Sequence, residues 1–180
     1  SSFTVTSERT KSVNMVAYIK VGSRFNVAKG NPSKVDPSNP LNLCGLTIGV
    51  QTGTAQEEAI NTYSTNCTKA SKKAINVKSY AKFGDATTAL AGQALDATFA
   101  DSPVADYAAK QTNGAVVAVG DLVDPATQAV VINKNDTATT QAVQKAMQYL
   151  IDKGVWNQIL TAWGIDTSQA LKTATINPAE

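Results

Sequence analysis

Apolar residues along this chain fall into short runs whose spacing switches between the two-residue period of a strand and the three-to-four-residue period of a helix. Residues 1–5 read as the end of a strand. Thr6-Ser7-Glu8-Arg9-Thr10 then reads as a helix start in which Thr6 or Ser7 caps the free amides, with Arg9 in the first turn. Residues 13–19 are apolar but short, Gly22 breaks the run, and 24–29 alternate as a strand should. A loop over 30–40 carries Pro32, Pro37 and Pro40 and is the most linker-like stretch of the chain.

From residue 46 the pattern becomes regular. A strand over 46–50 leads through a glycine-containing turn into a helix that begins near Thr54 and runs to about Tyr63. A strand over 74–80, a helix over 84–91 ended by Gly92, a strand over 94–100 finishing at Asp101, and a helix over 102–111 with Pro103 in its first turn follow in order. Such alternation predicts an α/β fold with a parallel sheet covered by helices. Ligands bind beyond the carboxyl ends of such strands, where Thr54, Ala55, Gln56 and Asp101 all fall.

Short strands at 116–119 and 129–132 are predicted on either side of a turn-rich stretch, 120–127. Ala142, Val143, Ala146, Met147, Leu150 and Ile151 recur at helical spacing, and Trp156, Ile159, Leu160 and Trp163 continue an apolar face on a second short helix. Met147 and both tryptophans are expected in the core, and the small, polar tail over 167–180 is expected to fray.

Composition narrows what such a fold could do. With 43% hydrophobic and 17% charged residues over 180 positions the chain can bury one sizeable core or two small ones. Sixteen basic and fourteen acidic residues give a net charge of +2 without clustering, which predicts no nucleic-acid or membrane surface. Apolar runs such as 115–119 are too short to span a bilayer. No signal-peptide pattern opens the chain, so an export signal is expected to have been removed or to lie upstream. There is no histidine and no Cys-x-x-Cys pair, so neither a metal site nor a cofactor is expected, and Ser-His-Asp and Cys-His catalysis are excluded. Catalysis by either of these routes is therefore not expected of the chain. Cys44 and Cys67 leave two readings open, a pair of buried thiols or a disulfide that would place the protein outside the cytoplasm.

Three separated elements carry groups suited to a zwitterion. Arg9 offers a planar fork of donors that matches a carboxylate. The helix start at Thr54, Ala55 and Gln56 offers backbone amides and the positive end of a helix dipole. Asp101 offers an anion for an ammonium.

Here a resemblance becomes specific. Ser1-Ser2-Phe3-Thr4-Val5-Thr6-Ser7-Glu8-Arg9 resembles the segment that carries the ligand arginine in the polar amino-acid-binding proteins of ABC importers, the extracellular solute-binding proteins of family 3. Leu43-Cys44-Gly45-Leu46-Thr47-Ile48-Gly49-Val50-Gln51-Thr52-Gly53-Thr54-Ala55-Gln56-Glu57 resembles the family's strand, Gly-Ser/Thr-Thr-Gln turn and helix, and Ala94-Leu95-Asp96-Ala97-Thr98-Phe99-Ala100-Asp101-Ser102 resembles its Asp-Ala...Asp segment. The likeness runs from Ser1 to about Trp163.

The resemblance implies a periplasmic-binding-protein-like type II fold, two lobes each with a mostly parallel sheet flanked by helices. Lobe two would be residues 23–129, and lobe one residues 1–22 plus 130–180. The family builds lobe one mainly from residues that precede the arginine motif, so the resemblance implies an N-terminally incomplete chain with an incomplete first lobe and weak or no binding by itself. Arg9 would grip the ligand α-carboxylate, helped by the backbone of Thr4 and of Ala55 beside Thr54. Asp101, assisted by Ser2, would accept hydrogen bonds from the α-ammonium, and Gln56 would sit at the pocket edge. Family members often have threonine where this chain has Ala55, a departure expected to weaken binding by about 1 kcal/mol. A cysteine pair around this strand is common in similar Gram-positive proteins, which implies the Cys44 and Cys67 disulfide and a cell-surface lipoprotein. The partners implied are a free amino acid and a membrane permease, with membrane attachment only through a lipid anchor outside this chain. Ligand-sensing domains of receptors and periplasmic enzymes on the same fold are the alternatives; the resemblance implies a binding protein and not an enzyme, since Asp101 would already be partnered by the ammonium and no histidine is present.

Overall fold

The computed structural model describes residues 3–179. In chain order the elements are β1 (Phe3–Thr4), α1 (Ser7–Ser12), β2 (Val13–Ala28), β3 (Thr47–Gln51), α2 (Ala55–Lys69), β4 (Asn76–Tyr80), α3 (Phe83–Ala91), β5 (Ala97–Asp101), α4 (Ser102–Gln111), β6 (Val116–Asn133), α5 (Thr137–Asp152) and α6 (Val155–Trp163). They divide between two compact units. Described residues up to Gly22 and from Asp124 onward form the first unit, and Ser23–Val123 the second.

In the second unit β3 lies between β4 and β5 and is parallel to both, with Ile48 opposite Val77 on one side and Ala97 on the other. The strand–helix alternation predicts this parallel arrangement, because a crossover helix must return the chain to the same end of the sheet. The end of β2 joins antiparallel to β5 and pairs Ser23 with Asp101 and Phe25 with Phe99. Strand alternation then sorts the side chains by face. Phe25 stacks on Phe99 with ring centroids 4.1 Å apart, in a cluster with Leu43, Ile48, Val50, Ile60 and Cys67. Each fully buried side chain of that size stabilises by roughly 1.5–3 kcal/mol. Helix α2 belongs to this cluster through Ile60 and Cys67, and its last turns are tied to the turn Pro40–Leu43 by the Cys44–Cys67 disulfide, as the resemblance implies. On β3 Gly49 keeps the opposite face close, since a Cβ there would stand 2.5 Å from Leu95 and 3.5 Å from Ala86 of α3. The next side chains on β2, Arg24 and Asn26, face α4, where Arg24 pairs with Asp106 and Asn26 Nδ2 donates to Ala105 O at 2.8 Å.

In the first unit β1 pairs antiparallel with β6, Phe3 opposite Ala129. Val16 and Ile132 pack with Val143, Met147 and Ile151 of α5, while Ile19, Val21 and Leu160 of α6 form a further cluster with Trp156. The Trp156 indole donates to Tyr18 O. Met147 and Trp156 thus serve the core as expected, whereas Trp163 is exposed, its helix ending one residue later at Gly164.

Four local expectations are corrected. The runs on either side of Gly22 are one sixteen-residue strand, and the stretch 120–127 lies inside the eighteen-residue β6. A glycine weakens a strand without ending it when neighbouring strands continue alongside. Gly120 has φ +70°, and a Cβ there would lie 2.4 Å from the ring of Pro37, so this glycine admits the proline-rich loop against β6. Helix α2 continues to Lys69, beyond the expected end near Tyr63, anchored by Cys67. The tail does not fray over 170–177, where it bonds along β2: Leu171 N to Tyr18 O, Ala17 N to Thr175 O and Asn177 N to Met15 O. Backbone pairing with an open strand edge, invisible to composition, holds it there.

Candidate functional site

The candidate residues of the second unit gather at the carboxyl ends of β3 and β5. Thr54 is the N-cap of α2; its hydroxyl donates to Gln51 O and accepts from Glu57 N at 3.2 Å. Glu57 returns the bond one residue upstream by accepting from Gly53 N at 2.7 Å, so Thr54-Ala55-Gln56-Glu57 is a variant of the reciprocal capping box. The Ser79 hydroxyl binds the other Glu57 oxygen. These two contacts, the hydroxyl more than the amide, hold the Glu57 carboxyl below its ordinary range. The cap leaves the amides of Ala55 and Gln56 without a partner among the described residues, open to an anion at the positive end of α2.

Asp101 occupies the N-cap position of α4 but makes no side-chain capping bond. An aspartate there ordinarily caps, a contact worth about 1 kcal/mol. Its carboxylate turns to Gln56, whose Nε2 donates to Asp101 Oδ1 at 2.7 Å and to Ser23 Oγ at 2.9 Å. A small cavity of about 60 Å³ is lined by Gln51, Thr54, Gln56, Phe99, Ala100, Asp101 and Val104. The structure therefore brings Thr54, Ala55, Gln56 and Asp101 together from elements far apart in sequence.

In the first unit Thr6 caps α1, and its hydroxyl accepts from Arg9 N at 3.2 Å. The exposed Arg9 guanidinium donates to Thr4 O at 2.7 Å and lies 5.7 Å from the Phe3 ring centroid. One of five donors is thereby used, so the fork stays open to a carboxylate. Arg9 lines an open cavity of about 550 Å³ with Phe3, Thr6, Glu8, Ser12, Val13, Met15 and Val131. Thr4 is thus a support for Arg9 through its carbonyl, and Ser2 lies outside the described residues.

Sequence reasoning missed Ser23 and Glu57. The Thr-x-x-Glu spacing over 54–57 was a signal for Glu57. Ser23 had none, because the break read at Gly22 left it between two runs, and only the register with Asp101 brings it to the site. Among the described residues no group of three His, Cys, Asp or Glu could hold a metal ion, and no helix is long and apolar enough to cross a membrane.

Both sequence and fold have known relatives. A family model for bacterial extracellular solute-binding proteins, family 3, matches residues 1–166. An arginine-binding protein of Corynebacterium glutamicum is 33% identical over 167 residues, which are 92% of this chain and 54% of that protein. The chain thus spans about half the length of the curated relative it matches. Among solved structures, an ancestral cationic amino acid solute-binding protein is similar with a TM-score of 0.72 and 22% identity, over 90% of this chain and 66% of that one. An ancestral arginine-binding protein bound to arginine is 25% identical with a TM-score of 0.57, over 89% of this chain and 68% of that one.

Proposed function

We propose, for a chain that belongs to the bacterial extracellular solute-binding proteins of family 3 and has their periplasmic-binding-protein-like type II fold, that it acts in the extracytoplasmic amino-acid-binding component of an ABC importer. The observation that carries this reading is an anion withheld from helix capping at Asp101 beside the open N-terminal amides of α2. An α-amino acid is complementary to that pair. Its ammonium donates to Asp101, and its carboxylate accepts from the amide of Ala55, while Arg9 of the first unit supplies a bidentate grip on the same carboxylate. The first unit belongs to lobe one and the second is lobe two, joined through the crossing strands β2 and β6. A ligand held by Arg9 and Asp101 together favours the closed form, which a permease recognises. The Cys44–Cys67 disulfide fits an oxidising compartment outside the cytoplasm, with a lipid anchor as the tether. The protein has no catalytic role in this reading, because Asp101 is committed to the ammonium and the chain has no histidine.

The test is a thermal-shift screen of the twenty amino acids against the full-length gene product, followed by Arg9→Ala with the best ligand. L-arginine heads the screen because arginine-binding relatives are among the similar proteins. An increase in melting temperature with one or a few α-amino acids, and at least about a hundredfold weaker binding in Arg9→Ala, are expected. No response to any amino acid, or unchanged affinity in the variant, sinks the reading.

A further inference from the structure

Asp101 has two oxygens and only one is engaged. Gln56 Nε2 holds Oδ1 at 2.7 Å and Ser23 Oγ at 2.9 Å, so both protons of the Gln56 amide are committed to acceptors on β5 and β2. Oδ2 has no hydrogen-bond partner among the described residues. The helix whose N-cap Asp101 occupies makes no claim on it. An unbraced aspartate at this position would swing toward the Val104 amide of its own helix, the N3 donor that an N-cap side chain ordinarily takes, since Pro103 at N2 has no N–H.

We infer that Gln56, with Ser23, is a positioning residue for Asp101: it draws the carboxylate away from α4 and fixes it with Oδ2 presented to an incoming ammonium. This rests on the binding reading above. The bracing has a structural basis on each side. Gln56 leaves the first turn of α2, whose entry geometry is fixed by the Thr54 and Glu57 capping bonds. Ser23 sits directly opposite Asp101 in the β2–β5 ladder, so acceptor and carboxylate share one register. The consequence is selective: Gln56 strengthens recognition of the α-ammonium and does little for ligands that lack one.

Two measurements on the full-length gene product test this. The first needs no ligand: the side-chain amide signals of Gln56 in a ¹⁵N–¹H spectrum, assigned by their loss in Gln56→Met, are expected to move in Asp101→Ala and in Ser23→Ala. Signals that stay put in both variants overturn the bracing. The second compares affinities for L-arginine and for 5-guanidinopentanoic acid, the same molecule without its α-amino group. Gln56→Met is expected to reduce the ratio of the two affinities by about tenfold, the scale of one hydrogen bond to a charged group. A merely structural role would weaken both ligands alike, and an unchanged ratio overturns the inference; Ser23→Ala gives the same readout should Gln56→Met fold poorly. If the wild type binds no α-amino acid at all, the binding reading fails while the spectra still decide the bracing.

Discussion

In the second unit Gln56 reaches 33 residues back to Ser23 and 45 residues forward to Asp101. In the first, Arg9 is held by Thr4 and Thr6, five and three residues away. One charged group is placed by the tertiary fold of a whole unit, the other by a single turn of chain. Local turns form wherever their residues stand, whereas a contact of long sequence separation exists only after loop closure and core packing are complete. Asp101 should therefore respond to changes in the packing of its unit that leave the geometry of Arg9 intact. The units also differ in assembly. The second is one continuous segment stapled by a disulfide; the first joins segments from both ends of the chain, with a buried asparagine at their junction.

The largest effect that can break this comparison comes from the staple. Cys44→Ser/Cys67→Ser opens a closure of 23 residues. On the chain-entropy account its loss costs roughly 3 kcal/mol, read by urea denaturation. Amides of α2, β3 and β5 are expected to lose hydrogen-exchange protection more than those of α5. Equal losses in both units would mean that the second unit is not stabilised on its own.

A smaller effect belongs to the first unit. Asn14 is buried, its amide donating to Lys134 O at 3.0 Å and Thr140 Oγ1 at 3.2 Å, and its carbonyl accepting from Asn177 Nδ2 at 3.2 Å. Asn177 in turn takes the Met15 N–H on its own carbonyl at 2.8 Å. Asn14→Leu strands these partners and is expected to cost about 2 kcal/mol by urea denaturation. Exchange should rise in 170–177 and the start of α5. A comparable rise in β3 or β5 would erase the distinction between the units.

The same contrast explains what could be read before the structure. Arg9, its cap at Thr6, the open end of α2 and the parallel strands around β3 were legible because each depends on residue types at short spacing. Gln56 was legible as a residue of the site but not as a brace, since nothing in a sequence states that positions 23, 56 and 101 share one register. The tail failed for a related reason: Ala170, Leu171, Ala174 and Ile176 are spread over 170–177 without a sustained strand or helix period, and their order comes from the edge of β2. The continuous β2 and β6 were hidden because glycine marks a bend locally, while pairing along the whole strand decides whether it ends one.

The smallest effect tests whether the capping of α2 is as local as that of α1. Glu57 is partly exposed, and its carboxyl is lowered from the ordinary 4.5 by the Ser79 hydroxyl and then the Gly53 amide. A carboxyl lowered in the folded state contributes stability that is complete above its unfolded value and is lost as pH falls through that value and then the folded one. Wild type should therefore exceed Glu57→Gln in melting temperature at neutral pH, and the gap should close below pH 4.5. Asp36 and Asp136, also lowered by bonds to neighbouring groups, titrate in both proteins and drop out of the difference. Thr6→Ala, which removes the cap of α1, changes no ionisable group and should cost about 1 kcal/mol with no pH dependence over the same range. A gap for Glu57→Gln that is equally flat would show that the Ser79 contact from β4 contributes nothing. The cap of α2 would then be as local as that of α1, and the long-range character of the second unit would rest on Gln56 and its two acceptors.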